Sequence, residues 1–392
     1  MDFQLSEEQK SLAALVTDFF KKETSPQLVN ECMKKDPAER IPRDLLKKMH
    51  AVGLSTLCVP ARYGGGGVSN LLTQMVLAER AAQYGGLLSE LAWLNWKLQG
   101  DLAAVGSREQ QDEFFPQIMS DPAFQIGETT TEPDHGHDPR LPVDEPGGGL
   151  KTFAYRDGDE YVINGEKCFT DGALTNLLFV YLRTDKKRPL SQSMSVFLVP
   201  TKTPGFSVTK INALMSELIR PVGDLLFDNA RVPARYLVGE ENKGYKIFDG
   251  RYSFWLGIAA AAVGGAQAIY ELTRDYAKTR VQGGKPIFQH LTIGTRIVDM
   301  LLHIEQVRYL VYKTAWEYDQ TGSKLVSTLG YNLCNVAAKE LGVLVARHAA
   351  EVFGARAALK ELPIEGYIRG VHGHLHGFET ASFNQIKAMT MI

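Results

Sequence analysis

The spacing of apolar residues changes twice along the chain, and this change limits the fold more than any other feature of the sequence. Residues 1–125 and 239–392 repeat apolar side chains every three or four positions, as amphipathic helices do. Residues 126–238 instead carry short β-rich runs with a period of two. We therefore predict an α+β multidomain protein with an N-terminal helical domain (1–125), a central antiparallel β-sandwich or barrel (126–238) and a C-terminal helical bundle (239–392). Because strands and helices do not alternate, a Rossmann fold is disfavoured.

Composition argues against several classes of partner. The 43 lysines and arginines nearly balance the 45 aspartates and glutamates, so no nucleic-acid-binding surface is expected. The four cysteines are scattered without CxxC spacing, which predicts neither a disulfide framework nor a zinc module. The first residues lack the features of a targeting segment, and the apolar stretch near residues 256–265 is too short for a membrane span. We expect a cytoplasmic protein with no membrane span.

Two local patterns predict loops. The pairs Asp157-Gly158 and Asn164-Gly165 are typical of hairpin turns and predict tight connections between central strands. Near the C-terminus, His372, His374 and His376 occupy alternate positions among glycines. The glycines favour a flexible loop here, and the spacing matches no set of metal ligands, so no metal site is predicted.

Four motifs follow one another along the chain. They are Thr131-Glu132-Pro133 with Gly136 and Asp138 (TEPxxGxD), Ile163-Asn164-Gly165-Glu166-Lys167 with Thr170-Asp171-Gly172 (INGxK…TNG), Val232-Pro233 with Val238-Gly239-Glu240-Glu241, and Arg280-Val281-Gln282 with Gly284 and Pro286-Ile287 (RxQFGxPI). Each fragment alone is a weak signal. In this common order they resemble the acyl-CoA dehydrogenase family over essentially the whole chain.

The resemblance implies an FAD-dependent oxidoreductase that acts on an acyl-coenzyme A thioester. It implies that Thr131 and Thr170 contact the isoalloxazine ring and that Arg280 and Gln282 reach the FAD of a neighbouring subunit. It also implies a homotetramer and reoxidation of the flavin by an electron-transferring flavoprotein.

The reaction needs a placed base, because the proton α to a thioester is only weakly acidic. Residues 378–385, FETASFNQ, resemble the family's YEGTSEIQ, and Glu379 holds the position of its glutamate. The resemblance makes Glu379 the predicted base. Asp249 is the second candidate and, with Arg251, is expected to contact the thioester or coenzyme end of the substrate. Glu90, on a helix expected to border the acyl pocket, is the third.

The chain departs from the family pattern at several places, three of which concern the proposed site. Gly283 replaces the phenylalanine of RxQFGxPI, Lys167 and Thr170 lie one residue closer together, and Thr380 follows Glu379 where the family has glycine. A register that makes Thr380 the motif threonine would put Phe378 at the base position. Three hypotheses therefore stay open: dehydrogenation of an acyl-CoA, including a cyclic or branched one; a reduction or non-redox elimination on the same fold; and a non-catalytic partner subunit.

Overall fold

The computed structural model describes residues 4–136, 144, 148–216, 219–250, 252–322, 324–377 and 379–392. The predicted Asp138, Arg251 and Phe378 lie outside these residues. All four cysteines are free thiols. Among the helices described, none combines the length and the hydropathy that crossing a membrane requires.

The N-terminal part of the chain is helical, as predicted. Its helices are α1 (Glu7–Glu23), α2 (Pro26–Met33), α3 (Arg43–Ala51), α4 (Leu71–Gly85), α5 (Glu90–Val105) and α6 (Arg108–Ser120). A capping box begins α1, in which the Ser6 hydroxyl accepts from the Gln9 amide and the Gln9 side chain accepts from the Ser6 amide. The buried face of α1, which includes Phe20, packs against α4 close to Gly85.

The central part forms one seven-stranded sheet. Its strands are β1 (Ile126–Thr129), β2 (Phe153–Asp157), β3 (Glu160–Asp171), β4 (Leu177–Arg183), β5 (Met194–Pro200), β6 (Phe206–Ile211) and β7 (Val222–Pro233). The strand order is β1-β4-β2-β3-β7-β6, and β5 also pairs with β4. Most pairs are antiparallel, as predicted, but β4 runs parallel to both β1 and β2.

One of the two predicted hairpin turns is wrong. Asp157-Gly158 does lie at the tight β2–β3 connection, where Asp157 pairs with Glu160. Asn164-Gly165 instead lies inside β3, at an irregularity in its pairing with β7. The twelve-residue strand keeps partners on both sides there, so ladder hydrogen bonds outweigh the local preference of the pair for a turn.

The C-terminal part returns to helices. They are α7 (Gly244–Asp249), α8 (Tyr252–Thr279), α9 (Leu291–Thr321), α10 (Lys324–Phe353), α11 (Pro363–His376) and α12 (Ala381–Met389), with a short hairpin of β8 (Val281–Gln282) and β9 (Lys285–Pro286) between α8 and α9. The helical domains pack on each other, because Gly264 of α8 lets its backbone approach Glu79 and Ala82 of α4. Asp319 of α9 accepts from the amides of Leu71 and Leu72 at 2.8 and 2.9 Å, which caps α4.

The predicted loop at the histidine-rich segment is also wrong, because residues 363–376 form α11. Pro363 occupies its first turn, where the missing amide hydrogen is not needed. The helix packs on α10, where Gly342 leaves room for Val371, and Ile364 is buried. Tertiary packing therefore outweighs the low helix propensity of the glycines. The histidine side chains lie outside what is described.

Candidate active site

The threonine run at 129–131, which ends in the TEP motif, meets the strand that carries the TDG motif at one edge of the sheet. Thr129, at the end of β1, and Thr170, in β3, are both 2% exposed, and their hydroxyl oxygens lie 2.7 Å apart. The carbonyl of Thr131 accepts from the amide of Cys168 at 2.9 Å. The structure thus brings the predicted Thr131 and Thr170 onto adjacent backbone segments.

A buried ion pair holds this edge in place. Lys167 Nζ lies 2.8 Å from Glu132 Oε1 and also donates to the carbonyls of Thr130 and Tyr181. The Glu132 carboxylate accepts from the amides of Lys151 and Thr152 as well. Burial raises the pKa of Glu132, but the Lys167 ammonium and these donors outweigh it, so the pKa lies below its usual value. The glutamate and lysine of the two motifs therefore position the loop.

The segment between Lys167 and Thr170 contains a bulge. Lys167 pairs with Leu225 and Thr170 with Gly223, so β3 carries one extra residue here. Phe169 lies in this bulge with φ +49°, and it is 63% exposed next to the buried threonines. An exposed aromatic ring beside hydroxyl and backbone polar groups fits the flat, apolar ring of a flavin with its polar rim. The residues present at this edge therefore fit FAD.

The segment with Arg280 and Gln282 forms an exposed hairpin. Gly283 and Gly284, between β8 and β9, have φ of +62° and +79°, as a type I′ turn requires. This backbone explains why glycine replaces phenylalanine at position 283, because a side chain is strained at this φ. Arg280 and Gln282 are both exposed. Within the described residues, no contact joins them to Thr131 or Thr170.

Glu379 lies between α11 and α12 and is 2% exposed. Its amide donates to the Gly377 carbonyl at 2.7 Å, and the next residue, Thr380, caps α12 by accepting from the Phe383 amide. Lys339 of α10 also donates to the Gly377 carbonyl, at 3.2 Å. Burial lowers the pKa of Lys339 to about 8.

Asp249, the second candidate base, ends α7 and forms an ion pair with Lys387 of α12 at 3.2 Å. The lysine is buried, and the aspartate side chain is 31% exposed. This pair ties α7 to the helix that follows Glu379. The ammonium of Lys387 occupies one of the aspartate oxygens.

A cavity of about 1050 Å³ is lined by both N-terminal and C-terminal helices. Its wall comes from α2, α4, α5, α8, α10 and α11, and it includes Glu90, Trp93 and Lys339. Lys34 and Lys360, both exposed, mark its outer end, whereas Glu90 and Trp93 are buried. Neither Glu379 nor Asp249 belongs to the described wall of this cavity. The cavity has the size of a small-molecule site.

Glu90, the third candidate base, begins α5 and is 5% exposed. Burial, together with the negative charge of Asp171, raises its pKa to about 8, although Arg220 acts in the opposite direction. Arg220 is 1% exposed, lies 3.4 Å from Asp171, and donates to the Ile126 carbonyl at 2.8 Å. Glu90 therefore lies where α5, the sheet edge and the cavity meet.

The family models of the three acyl-CoA dehydrogenase domains match three successive parts of the chain. The N-terminal domain matches residues 6–121, the middle domain residues 127–230 and the C-terminal domain residues 255–375. This chain belongs to the acyl-CoA dehydrogenase family. Membership confirms the predicted fold class, the assignment as an oxidoreductase and FAD as the cofactor.

Individual family members resemble the chain over nearly its full length. A probable acyl-CoA dehydrogenase of Bacillus subtilis (strain 168) is 31% identical, over 94% of this chain and 93% of its own. An acryloyl-CoA reductase (NADH) of Anaerotignum propionicum is 30% identical, over 94% of this chain and 90% of its own. The structure of butyryl-CoA dehydrogenase from Megasphaera elsdenii superimposes with a TM-score of 0.87 at 25% identity, covering 100% of this chain and 99% of that one.

Sequence reasoning missed two residues of this acyl-CoA dehydrogenase family site. Thr129 was overlooked because it stands in a run of three threonines, of which only the last belongs to the TEP motif. Arg220 lies in no motif, and its contact with Asp171 joins residues 49 positions apart. The one available signal was Asp171, a charged residue where the family's TNG element has asparagine. The domain limits and the roles of the named residues stay predictions.

Proposed function

We propose that this chain oxidises an acyl-CoA thioester to the enoyl-CoA, with Glu379 removing the α-proton. The position of Glu379 is the observation that supports the proposal. Its carboxyl is buried, and it lies two residues after Gly377, whose carbonyl accepts a hydrogen bond from the cavity-lining Lys339. Its burial keeps water away from the proton that it removes. FAD, when bound, supplies the acceptor for the hydride from Cβ.

The cavity is proposed to hold the acyl group. Apolar side chains of α5 and α8, among them Trp93, Ile258 and Ile269, form much of its wall and would desolvate a hydrocarbon chain. The exposed Lys34 and Lys360 at the outer end suit the phosphates of coenzyme A. Asp249 and Arg251 remain proposed contacts of the thioester or coenzyme end, although Lys387 already binds Asp249.

Thr131 and Thr170 are proposed to hold the isoalloxazine ring at the sheet edge, with the exposed Phe169 ring beside it. Lys167 and Glu132 act on this site indirectly, because they fix the loop that carries Thr131. Arg280 and Gln282 are proposed to reach the FAD of a neighbouring subunit.

A homotetramer is proposed from the surface of α9. Leu291, Val298, Leu302 and Tyr309 are between 51% and 85% exposed, and their spacing of seven, four and seven residues puts them on one face of the helix. An apolar stripe of this length suits contact with a second copy. We expect Val298→Glu with Leu302→Glu to lower the mass in sedimentation and to weaken FAD retention, since Arg280 and Gln282 would lose their partner. An unchanged mass would remove this face from the interface.

A reducing direction is the second candidate, because the acryloyl-CoA reductase is 30% identical over 94% of this chain. The same carboxyl would then return a proton to Cα. Electron-transferring flavoprotein remains the proposed acceptor in the oxidising direction, on family resemblance, and a cytoplasmic location remains a prediction.

An anaerobic titration tests the function. The purified protein, loaded with FAD, is titrated with straight, branched, dicarboxylic and cyclic acyl-CoA thioesters while its visible spectrum is recorded. Bleaching by one class supports dehydrogenation and identifies the substrate class. Recovery of colour when dithionite-reduced protein meets an enoyl-CoA, with no bleaching by any saturated thioester, favours reduction. A protein that neither binds FAD nor responds to any thioester contradicts both.

A further inference from the structure

Among the carboxyl groups on the described wall of the cavity, Glu90 is the buried one, and the proposed reaction does not use it. Glu90 begins α5, is 5% exposed and lines the cavity beside Trp93, which is one turn further along the same helix. A carboxyl is expensive to bury among apolar side chains. Such polar groups in an otherwise apolar site commonly orient a ligand and select it.

The groups around Glu90 favour its protonated form. Asp171 of β3 brings a negative charge near it, and burial disfavours a second one, so its pKa is about 8. Arg220 opposes this shift through its charge and through a hydrogen bond from its backbone amide to Glu90, while its guanidinium also pairs with Asp171 and donates to the Ile126 carbonyl. The carboxyl is therefore mostly a hydrogen-bond donor at pH 7, and in this form it is not suited to remove a proton.

Other ionisable groups of the cavity have partners of their own. Glu271 accepts from the side-chain amides of Gln83 and Gln267, each at 2.9 Å. Lys339 donates to the Gly377 carbonyl at 3.2 Å. Tyr367 also lines the cavity, and burial raises the pKa of its hydroxyl, which keeps it protonated. Glu90 differs from the other carboxyl groups of the described wall in being buried, which places it to meet the acyl chain away from water.

We propose that Glu90 donates a hydrogen bond to an oxygen atom on the acyl group. The enzyme then prefers thioesters whose chain carries a carbonyl or hydroxyl oxygen beyond Cβ over hydrocarbon chains of equal length. This inference rests on the proposed function in taking the cavity as the acyl site. A site built to bond an oxygen rejects an analogue that lacks it more strongly than an apolar wall rejects an added methylene.

The test compares octanoyl-CoA with octanoyl-CoA derivatives bearing one carbonyl at successive carbons beyond Cβ. The ratio of their kcat/KM values is measured from anaerobic flavin bleaching in the wild-type holoenzyme, Glu90→Gln and Glu90→Leu. In the wild type we expect a preference of about tenfold or more for one carbonyl isomer, which falls as the pH rises through 8. Glu90→Leu loses this preference. Glu90→Gln keeps most of it, because an amide also donates, and its preference no longer depends on pH.

Asp101→Asn is the matched control, since Asp101 is a buried acid on the same helix and is not part of the described cavity wall. An equal loss of preference in this variant would mean that α5 packing controls selectivity, and it would overturn the proposal. So would a wild-type ratio near one while octanoyl-CoA still bleaches the flavin, a result that leaves the proposed function intact. Bleaching by no thioester at all would instead contradict the proposed function.

Two further results bear on the protonation state. If Glu90→Gln loses the preference together with Glu90→Leu, and the wild-type preference grows with pH, the ionised carboxylate is the selecting form and the proposal is overturned. A thioester bearing an ammonium would then be the better substrate. If Glu90→Leu does not fold, the pH profiles of the wild type and Glu90→Gln still decide the question.

Discussion

The sheet edge and the helical cavity are built in different ways. At the sheet edge, motif residues lie on adjacent strands and are held by a buried ion pair between Glu132 and Lys167. In the cavity, the wall comes from six helices, and its most unusual group, Glu90, belongs to no motif of the sequence. The edge would therefore serve any reaction of the family, whereas we propose that the cavity determines substrate choice.

The two regions meet at Asp171. This residue follows Thr170 of the sheet edge, pairs with the buried Arg220, and influences the carboxyl of Glu90. A change in the flavin-side motif thus affects a group in the acyl cavity. The proposed cofactor contacts and substrate contacts therefore lie in different parts of the sequence, but in the fold they are coupled electrostatically through Asp171.

Removal of the proposed base should have the largest effect on the reaction. Glu379→Gln keeps the size of the side chain but leaves no group to accept the α-proton, so we expect flavin bleaching by a good substrate to slow by about 10³- to 10⁴-fold. Single-turnover anaerobic absorbance measures this rate. Glu361→Gln, an exposed change at the outer end of the cavity, is the control. Fast bleaching in Glu379→Gln, with loss in Glu90→Gln, would assign the base to the cavity wall.

Breaking the buried ion pair tests the sheet edge alone. Lys167→Met leaves the Glu132 carboxylate buried without its ammonium, and we expect the free energy of unfolding in urea to fall by about 3–5 kcal/mol, with loss of FAD. Lys151→Met removes the exposed pair with Asp134 and should change stability by about 0–1 kcal/mol. Equal effects of the two substitutions would show that burial at this edge is unimportant.

The pH dependence of the free energy of unfolding tests the protonation state of Glu90 in the cavity wall. The pKa of Glu90 is raised from 4.5 to about 8 in the folded protein, so the folded state holds this proton more tightly than the unfolded state. Stability is therefore lost as the pH rises from 4.5 to 8. Glu90→Gln removes this loss and should stabilise the protein on the order of 3 kcal/mol at pH 8, but little at pH 4.5. Urea unfolding at both values measures the difference, and a gain that is equal at the two pH values would contradict it.

The smallest expected effect is at the threonine pair. Thr170→Val removes the hydroxyl that lies 2.7 Å from Thr129, and we expect a loss of about 1 kcal/mol with a several-fold weaker affinity for FAD. Thr201→Val removes a hydroxyl that donates from the turn after β5 to the Thr175 carbonyl between β3 and β4, so it should reduce stability without changing FAD affinity. Calorimetric titration of the apoprotein with FAD separates the two variants.

Long elements could be predicted from the sequence, whereas predictions from short local patterns were less reliable. The hydrophobic period predicted the C-terminal helical part, which contains the long helices α8, α9 and α10, because a repeat over some thirty residues averages out exceptions. Asn164-Gly165 and the histidine-rich segment misled, since their local preferences concern only a few residues and pairing or packing outweighed them. Among the candidate bases, the sequence could rank Glu379, Asp249 and Glu90 but could not give their surroundings.

The sequence by itself determined the order of helical, β and helical parts and the motifs that define the family, because both are written in periodicity and spacing along the chain. The tertiary structure decided the pairing of Arg220 with Asp171, the ion pair of Asp249 with Lys387, and the burial of Glu90. Each of these depends on residues far apart in the chain and on how much water the packed helices exclude. Charge and protonation in the cavity follow from that three-dimensional environment, which local sequence does not encode.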